Sequence, residues 1–289
     1  MLFFVGDKQS NGLRIAIAGL SYGLPAIFIV APLLSFLIYS LFWIEGGQIY
    51  YELTLANYRR FFSDPIFIPV LLKTCLLCFE VAILTTLLGY PVAFLLVTLP
   101  GRLKYALLMM VLVPLLMSYV IKIYAIRSIL GSNGFLNHFL LSAGLISEPL
   151  TIFVFNLNAV LLSLTVLLIP FAVLPIFLSL ERVPKSLIEA SIDLGASNWQ
   201  TFVRIVLPMT VPGIVAAMTF VFVLAIGDFL TPQMVGGLQG FTFGRIIYSQ
   251  FGTAFNWPFG AALSVILAVI IIAVIGLGNL FGGRQERRA

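Results

Sequence analysis

Six stretches of this chain are each long and apolar enough to cross a bilayer, and they constrain the fold more than any other feature. The hydrocarbon core of a membrane is about 30 Å thick, which takes about 20 mostly apolar residues in a helix. The stretches run about Ile15–Trp43, Ile68–Leu99, Leu103–Leu130, Ile152–Leu180, Met209–Leu230 and Phe259–Phe281. The first is expected to be a span and not a cleavable signal, because it is too long, has no clear small-x-small cleavage site, and five more follow it.

Charge is scarce enough for position to matter more than sum. Only 9% of the 289 residues are charged and 61% are hydrophobic, against about a quarter charged in an average soluble domain. This excludes a disordered chain, a nucleic-acid-binding domain and an ordinary soluble enzyme. The net charge of +5 therefore reads as topology and not as an acidic partner. With six spans and a cytosolic N-terminus, one side carries Lys8, Arg14, Arg102, Lys104, Arg182, Lys185, Arg204, Arg284, Arg287 and Arg288. The other side carries Arg59, Arg60 and Arg245. The positive-inside rule then places both termini in the cytosol, and the basic tail from Gly282 against the membrane surface. Lys73, Lys122 and Arg127 lie within apolar stretches and do not contribute to that choice.

The rare residue types argue against chemistry on this chain. Cys75 and Cys78 form a C-x-x-C flanked by Leu76, Leu77 and Phe79. A redox or metal site would need thiolate-stabilising groups or further ligands, so two small apolar side chains in a helix are expected. His138 stands alone beside Asn137 in a predicted loop. No phosphate-binding loop, nucleophile elbow or H-E-x-x-H occurs. No cofactor is expected on this chain, and any nucleotide hydrolysis belongs to another.

One predicted cytosolic loop, Glu181–Pro208, is far longer than the tight turn Pro100–Arg102. Ser186 with Glu189, and Ser197 with Gln200, each fit a capping box, and Gly195 stands where a helix C′ glycine is expected. The pattern reads as a short helix, a glycine turn, and a second helix entering the fifth span. Leu187, Ile188, Ile192 and Leu194 give the first helix an apolar side. Such a helix either lies on the bilayer or seats in a partner's groove.

The spacing favours the groove. Glu189-Ala190-Ser191, three residues, Gly195, nine residues and Ile205-x-Leu207-Pro208 resemble the EAA loop of ATP-binding cassette importer permeases. That pattern is Glu-Ala-Ala, three residues, Gly, nine residues, Ile-x-Leu-Pro, with Ser191 as the one departure. Gly89-Tyr90-Pro91, Asn133-Gly134-Phe135-Leu136-Asn137, Leu194-Gly195-Ala196-Ser197, Gly227-Asp228-Phe229-x-Thr231-Pro232, Gly236-Gly237 and Trp257-Pro258-Phe259-Gly260 look like the spermidine/putrescine permease branch.

That resemblance implies an all-α membrane protein with the type I ABC importer permease fold: six transmembrane helices in one domain, residues 1–289, with a coupling helix between the fourth and fifth spans. It implies a second homologous permease, a cytosolic ATPase dimer that carries ATP and Mg, and an extracytoplasmic binding protein, all at the bacterial inner membrane. The substrate class it implies is polyamines or a related small organic cation. Another small organic solute (an amino-acid derivative, opine or phosphonate) is the alternative, and a secondary transporter fits less well. Nucleic acid is not an expected partner.

By the same resemblance the coupling residues are Glu189, Ala190, Ser191, Asp193, Gly195 and Ala196. Glu189 would meet a basic residue of the ATPase, or complete the Ser186 capping box. The pathway needs polar groups in the spans, where charges are costly and face a bundle interior or water. Glu80, Asp228, Asn156 and Trp257 are the candidates. Glu80 could instead pair with Lys73 or with the partner subunit, and Asp228 could serve as a helix end. Asn156 and Asn158 cannot share one helical face, so at least one is expected to bond another helix. Lys122 and Arg127 either snorkel to the interface or meet the binding protein.

Overall fold

The computed structural model describes Ile17 and residues 19–286, with side chains through Leu280. Lys8, Arg14, Ile15, Arg287 and Arg288, and the side chain of Arg284, lie outside the described residues. Five helices are long and apolar enough to cross a membrane, and a sharply bent pair makes a sixth element.

The chain divides into two compact units. The smaller comprises residues 1–63 and 249–268. Its first span, Gly19–Tyr39, opens with a wide turn at Gly19–Gly23 and continues as α1 (Leu24–Tyr39). A hairpin follows, β1 (Trp43–Glu45) with β2 (Gln48–Tyr50), in the register Trp43↔Tyr50. Gly46 and Gly47 turn it at φ +57° and +81°, the paired positive values that a two-residue hairpin turn requires. Residues predicted as the end of a span and the start of a loop are thus a strand pair, with Trp43 stacked on Tyr50 at 4.7 Å. α2 (Ala56–Ser63) is tied back by Asn57, whose amide donates to the Ser40 and Phe42 carbonyls at 2.9 and 2.6 Å.

The larger unit comprises residues 64–248 and 269–289. Its core is three helices: α3 (Phe67–Thr98), α7 (Leu157–Glu181) and α10 (Leu207–Gly227). In lipid there is little hydrophobic drive between helices, so close packing of small residues must hold them. Gly89 of α3 sits against Ala172 and Val173 of α7. Gly213 of α10 sits so close to α7 that a Cβ there would collide with Ser179 Cβ and lie 2.9 Å from the Pro175 carbonyl. Tyr90 Oη and Thr210 Oγ1 share a hydrogen bond of 2.9 Å across α3 and α10.

The third stretch, predicted as one helix, is broken. α4 (Gly101–Leu112) tightens into a single turn at Val113–Leu116, and the backbone becomes extended at Met117 and Ser118 before α5 (Tyr119–Leu130) and α6 (Phe135–Ser142). The two halves meet at 96°. Pro114 opens the tightened turn and supplies no N–H, and the sixteen residues Gly101–Leu116 reach only about 24 Å as helix, short of the hydrocarbon core. His138, predicted in a loop, lies on α6.

After α7 come α8 (Lys185–Asp193) and α9 (Asn198–Thr201). α9 widens through Phe202–Val206 and runs on into α10, so the fifth span is one helical run, Asn198–Gly227. α11 (Leu230–Val235) follows it. α12 (Phe243–Gly252) and α13 (Trp257–Glu286), which holds the sixth span, extend through both units.

Candidate coupling and translocation sites

The loop between the fourth and fifth spans is closed at each corner by a different device. Pro184, at φ −65° and ψ 127°, starts α8 at Lys185 without a side-chain cap. The Ser186–Glu189 capping box therefore does not form: Ser186 lies inside the first turn, two residues past the cap position that Pro184 holds. Glu189 is exposed and makes no ion pair within the chain among the described residues. At the other end, Gly195 adopts φ +82°. The Ala196 N–H donates to the Ser191 carbonyl at 3.0 Å and the Gly195 N–H to the Ile192 carbonyl at 2.8 Å, the paired bonds of a Schellman motif. The second capping box is present: the Gln200 N–H donates to Ser197 Oγ at 3.3 Å, and the Ser197 N–H to Gln200 Oε1 at 2.9 Å.

Ser191 shows what the small departure from the EAA pattern does. Its side chain is buried, donates to the Ile188 carbonyl at 2.8 Å, and shares a 2.7 Å hydrogen bond with Thr201 Oγ1. Much of the rest of the helix is bare. Ala190, Asp193, Leu187 and Ile192 are exposed, Leu194 is 88% exposed and Trp199 71% exposed. Ala196 is half-buried. Behind α8 lies a cavity of about 830 Å³ lined by Ile188, Ile192, Thr201, Phe202, Phe94 and Lys104, among others. Lys104 Nζ bonds Glu181 Oε1 at 2.6 Å, and Tyr105 Oη donates to the same oxygen at 2.8 Å. This joins the start of α4 to the end of α7, from which α8 hangs.

At the far end of α10 the chain turns at Asp228. Asp228 Oδ1 accepts from the Leu230 and Thr231 N–H groups at 2.8 and 3.2 Å, starting α11, while Oδ2 accepts from Tyr119 Oη at 2.6 Å. Tyr119 Oη also lies 3.0 Å from Thr231 Oγ1. Tyr119 is the first residue after the break in the third stretch, so the two interruptions of the larger unit are stitched together. Asp228 thus fills the helix-end role, and its carboxylate stays half-buried.

The other candidates are placed separately. Asn156 is not within a helix: it is the N-cap of α7, accepting from the Ala159 N–H at 2.9 Å and donating to the Thr151 and Ile152 carbonyls. Its amide is consumed locally and reaches no other helix. Glu80 and Lys73 are both exposed on the outer stripe of α3, beside Leu72, Leu76, Phe79, Ile83 and Leu87, and form no ion pair with each other. Cys75 and Cys78 are thiols on the same helix. Trp257 begins α13 in the smaller unit, half-exposed and edge-on to Phe251 at 6.0 Å. Sequence reasoning missed Tyr119, Thr201 and the Lys104–Glu181 pair. Only Ser191 carried a signal, as the misfit in its motif.

Long apolar helices packed through small residues, with a built and outward-facing loop between the fourth and fifth spans, define a membrane permease subunit. Residues 17–288 match the family described as binding-protein-dependent transport system inner membrane component, and the chain belongs to that family. It is 39% identical, over 81% of its length and 79% of the relative's, to the spermidine/putrescine transport system permease protein PotB of Salmonella typhimurium (strain SL1344). It is 34% identical to the protein of that name from Haemophilus influenzae, over 86% of each chain. A chain in the crystal structure of a bacterial alginate ABC transporter in complex with alginate pentasaccharide-bound periplasmic protein has the same fold, with a TM-score of 0.77 over 96% of both chains at 16% identity. The fold is that of the type I ABC importer permeases.

Proposed function

We propose that this chain forms half of the translocation pathway of an ATP-driven, binding-protein-dependent importer of spermidine, putrescine or a related small organic cation. A second, homologous permease supplies the other half. ATP and Mg are held and hydrolysed by a cytosolic ATPase dimer, and an extracytoplasmic protein delivers the substrate. Both termini lie in the cytosol of a bacterial cell.

The observation that carries this reading is the exposed surface of α8. Glu189, Leu187, Ile192 and Leu194 are exposed on a helix that Ser191 ties to Thr201. A helix with exposed apolar side chains and an exposed charge suits the groove of a partner better than water. The substrate class is supported by the relatives named above, and by Glu80. A carboxylate within an apolar helix costs about 2.5–3.5 kcal/mol at the bilayer centre unless water or a partner covers it. On the outer stripe of α3, that cover would come from the second permease and the aqueous path between the two halves, where a carboxylate attracts a cation.

The test is co-purification followed by transport. The tagged chain, expressed in its native host, is expected to bring down an ATPase and a second permease. Proteoliposomes of that complex should accumulate radiolabelled putrescine or spermidine only with internal ATP and external binding protein. A chain that purifies alone, or uptake driven by an ion gradient without ATP, would overturn the reading. Uptake of an anionic or zwitterionic solute in place of polyamines would overturn the substrate class alone.

A further inference from the structure

The cavity behind α8 has a lining of two characters. Its volume is about 830 Å³, and all of its walls belong to the larger unit. One part is apolar: Phe94 and Val97 at the end of α3, Leu180 of α7, and Phe202 and Val206 of the widened run into α10. Phe94 meets Phe202 edge-on at 5.7 Å, and Trp199 stacks on the same Phe202 ring at 5.7 Å. The other part is polar and basic. It is made by Lys104 of α4, Lys185 at the start of α8, Thr98, Asn198 and the turn at residues 99–101.

The positive charge of that part is not balanced within the chain. Glu181 is the acidic residue of the lining, and Lys104 already pairs with it at 2.6 Å. Lys185 is exposed and has no carboxylate partner among the described residues. The same holds for Arg102 and Arg182, which adjoin the lining residues Gly101 and Glu181 in the chain. α4 opens Gly-Arg-Leu-Lys and α8 opens Lys-Ser, with no acidic residue in either first turn. A basic side chain adds to the positive end of a helix instead of offsetting it. Glu189 and Asp193 of α8 do not line the cavity, so they leave this surplus in place.

Height and shape select the ligand. The turn at residues 99–101 joins the second span to the third, and Glu181 ends the fourth. The cavity therefore lies where the hydrocarbon core gives way to headgroups. Trp199, 71% exposed beside it, is the residue type that collects at that level. A lone phosphate would leave the apolar wall uncovered, and a carboxylate side chain would leave most of the volume empty. A lipid with an anionic head matches both parts: basic pockets between helices on the cytosolic side take such headgroups, and the apolar wall takes the upper part of an acyl chain. We propose that this cavity holds one anionic phospholipid of the cytosolic leaflet, its phosphate at Lys185 and its acyl chain along Phe94, Val97 and Phe202. The inference rests on the proposed function only for placing this end of the spans in the cytosol.

The experiment uses the complex purified through this chain, in nanodiscs of phosphatidylcholine with a trace of lipid that carries a photoreactive group high on one acyl chain. Labelled phosphatidylglycerol should mark peptides from residues 94–104 or 198–206 about fivefold more than labelled phosphatidylcholine. Lys185→Glu should abolish that preference, and Lys185→Gln should reduce it. Val97→Trp fills the apolar part without changing charge and should lower phosphatidylglycerol labelling of those peptides several-fold. Unlabelled phosphatidylglycerol should compete, and glycerol 3-phosphate should not. Equal labelling by the two headgroups, or a preference unchanged in Lys185→Glu, overturns the proposal. So does competition by glycerol 3-phosphate, since the site would then take a small anion, and so does labelling unchanged in an assembled Val97→Trp complex. A complex that shows the expected labelling but takes up no polyamine would sink the functional reading alone and leave the lipid site standing.

Discussion

Ser191 and Thr201 share a buried hydrogen bond of 2.7 Å across the glycine turn of the loop between the fourth and fifth spans. Ser191 belongs to α8 and Thr201 to the first turn of the run Asn198–Gly227. The bond therefore joins the helix proposed to meet the ATPase to the base of a span. With the Schellman closure at Gly195 and the Ser197–Gln200 box, it leaves α8 little freedom to swing against α10. Displacement of α8 is then passed to the span and not absorbed in the turn.

Ser191→Ala should therefore leave the complex assembled but lower the number of substrate molecules moved per ATP hydrolysed. It also leaves Thr201 Oγ1 buried without its partner, a cost of about 1–3 kcal/mol. The double variant Ser191→Ala/Thr201→Val removes both hydroxyls and should regain stability without regaining coupling. Simultaneous measurement of uptake and phosphate release in proteoliposomes separates the two effects. Recovery of coupling in the double variant would show that packing, and not the hydrogen bond, carries the motion.

Glu189→Lys should insert normally and co-purify with its partners less well, with binding-protein-stimulated hydrolysis lost. No local cap depends on the carboxylate, since Pro184 starts the helix. The effect should thus appear at the ATPase and not in the thermal stability of this chain. Normal stimulated hydrolysis would remove Glu189 from the coupling contact.

The sequence made the membrane class legible because apolar length and loop charge are one-dimensional properties. The glycine turn and the second capping box were legible for a similar reason, being bonds between residues three to five apart. Asn156 was misplaced because an apolar run continues across it, though an Asn just before Leu157 is an ordinary helix start. The Gly46-Gly47 hairpin signal was overshadowed in the same way by the apolar stretch before it. Pro114 was visible, but whether a proline kinks or ends a helix depends on what packs against it. The Tyr119–Asp228 bond joins residues 109 apart and no local pattern announces it.

Gly213 should tolerate no larger side chain. Its Cβ would meet Ser179 and the backbone of α7, and backbone cannot yield as a flexible side chain can. Gly213→Ala should cost about 1–3 kcal/mol by overpacking, lowering the thermal midpoint of the purified complex in detergent. Gly213→Ala/Ser179→Gly should recover part of that loss, because one of the colliding atoms is the Ser179 Cβ. Gly195→Ala makes a useful contrast. A Cβ there meets nothing within 4 Å, so its cost of about 1 kcal/mol is backbone conformation alone, and no companion substitution should relieve it.

Asp228 allows charge to be separated from architecture. Asp228→Ala loses the start of α11 and the Tyr119 bond together, and should cost about 1–2 kcal/mol. Asp228→Asn keeps an oxygen for the Leu230 and Thr231 N–H groups and turns its amide toward Tyr119 Oη as a donor, so the complex should remain close to wild-type stability. If the half-buried carboxylate also attracts the passing cation, Asp228→Asn should nonetheless lower the maximal rate of putrescine uptake several-fold in proteoliposomes, with binding-protein-stimulated hydrolysis retained. Tyr119→Phe provides the control, since it removes the hydrogen bond and leaves the charge. Uptake that falls in Tyr119→Phe and holds in Asp228→Asn would assign Asp228 to the bend alone and leave Glu80 as the carboxylate for the pathway.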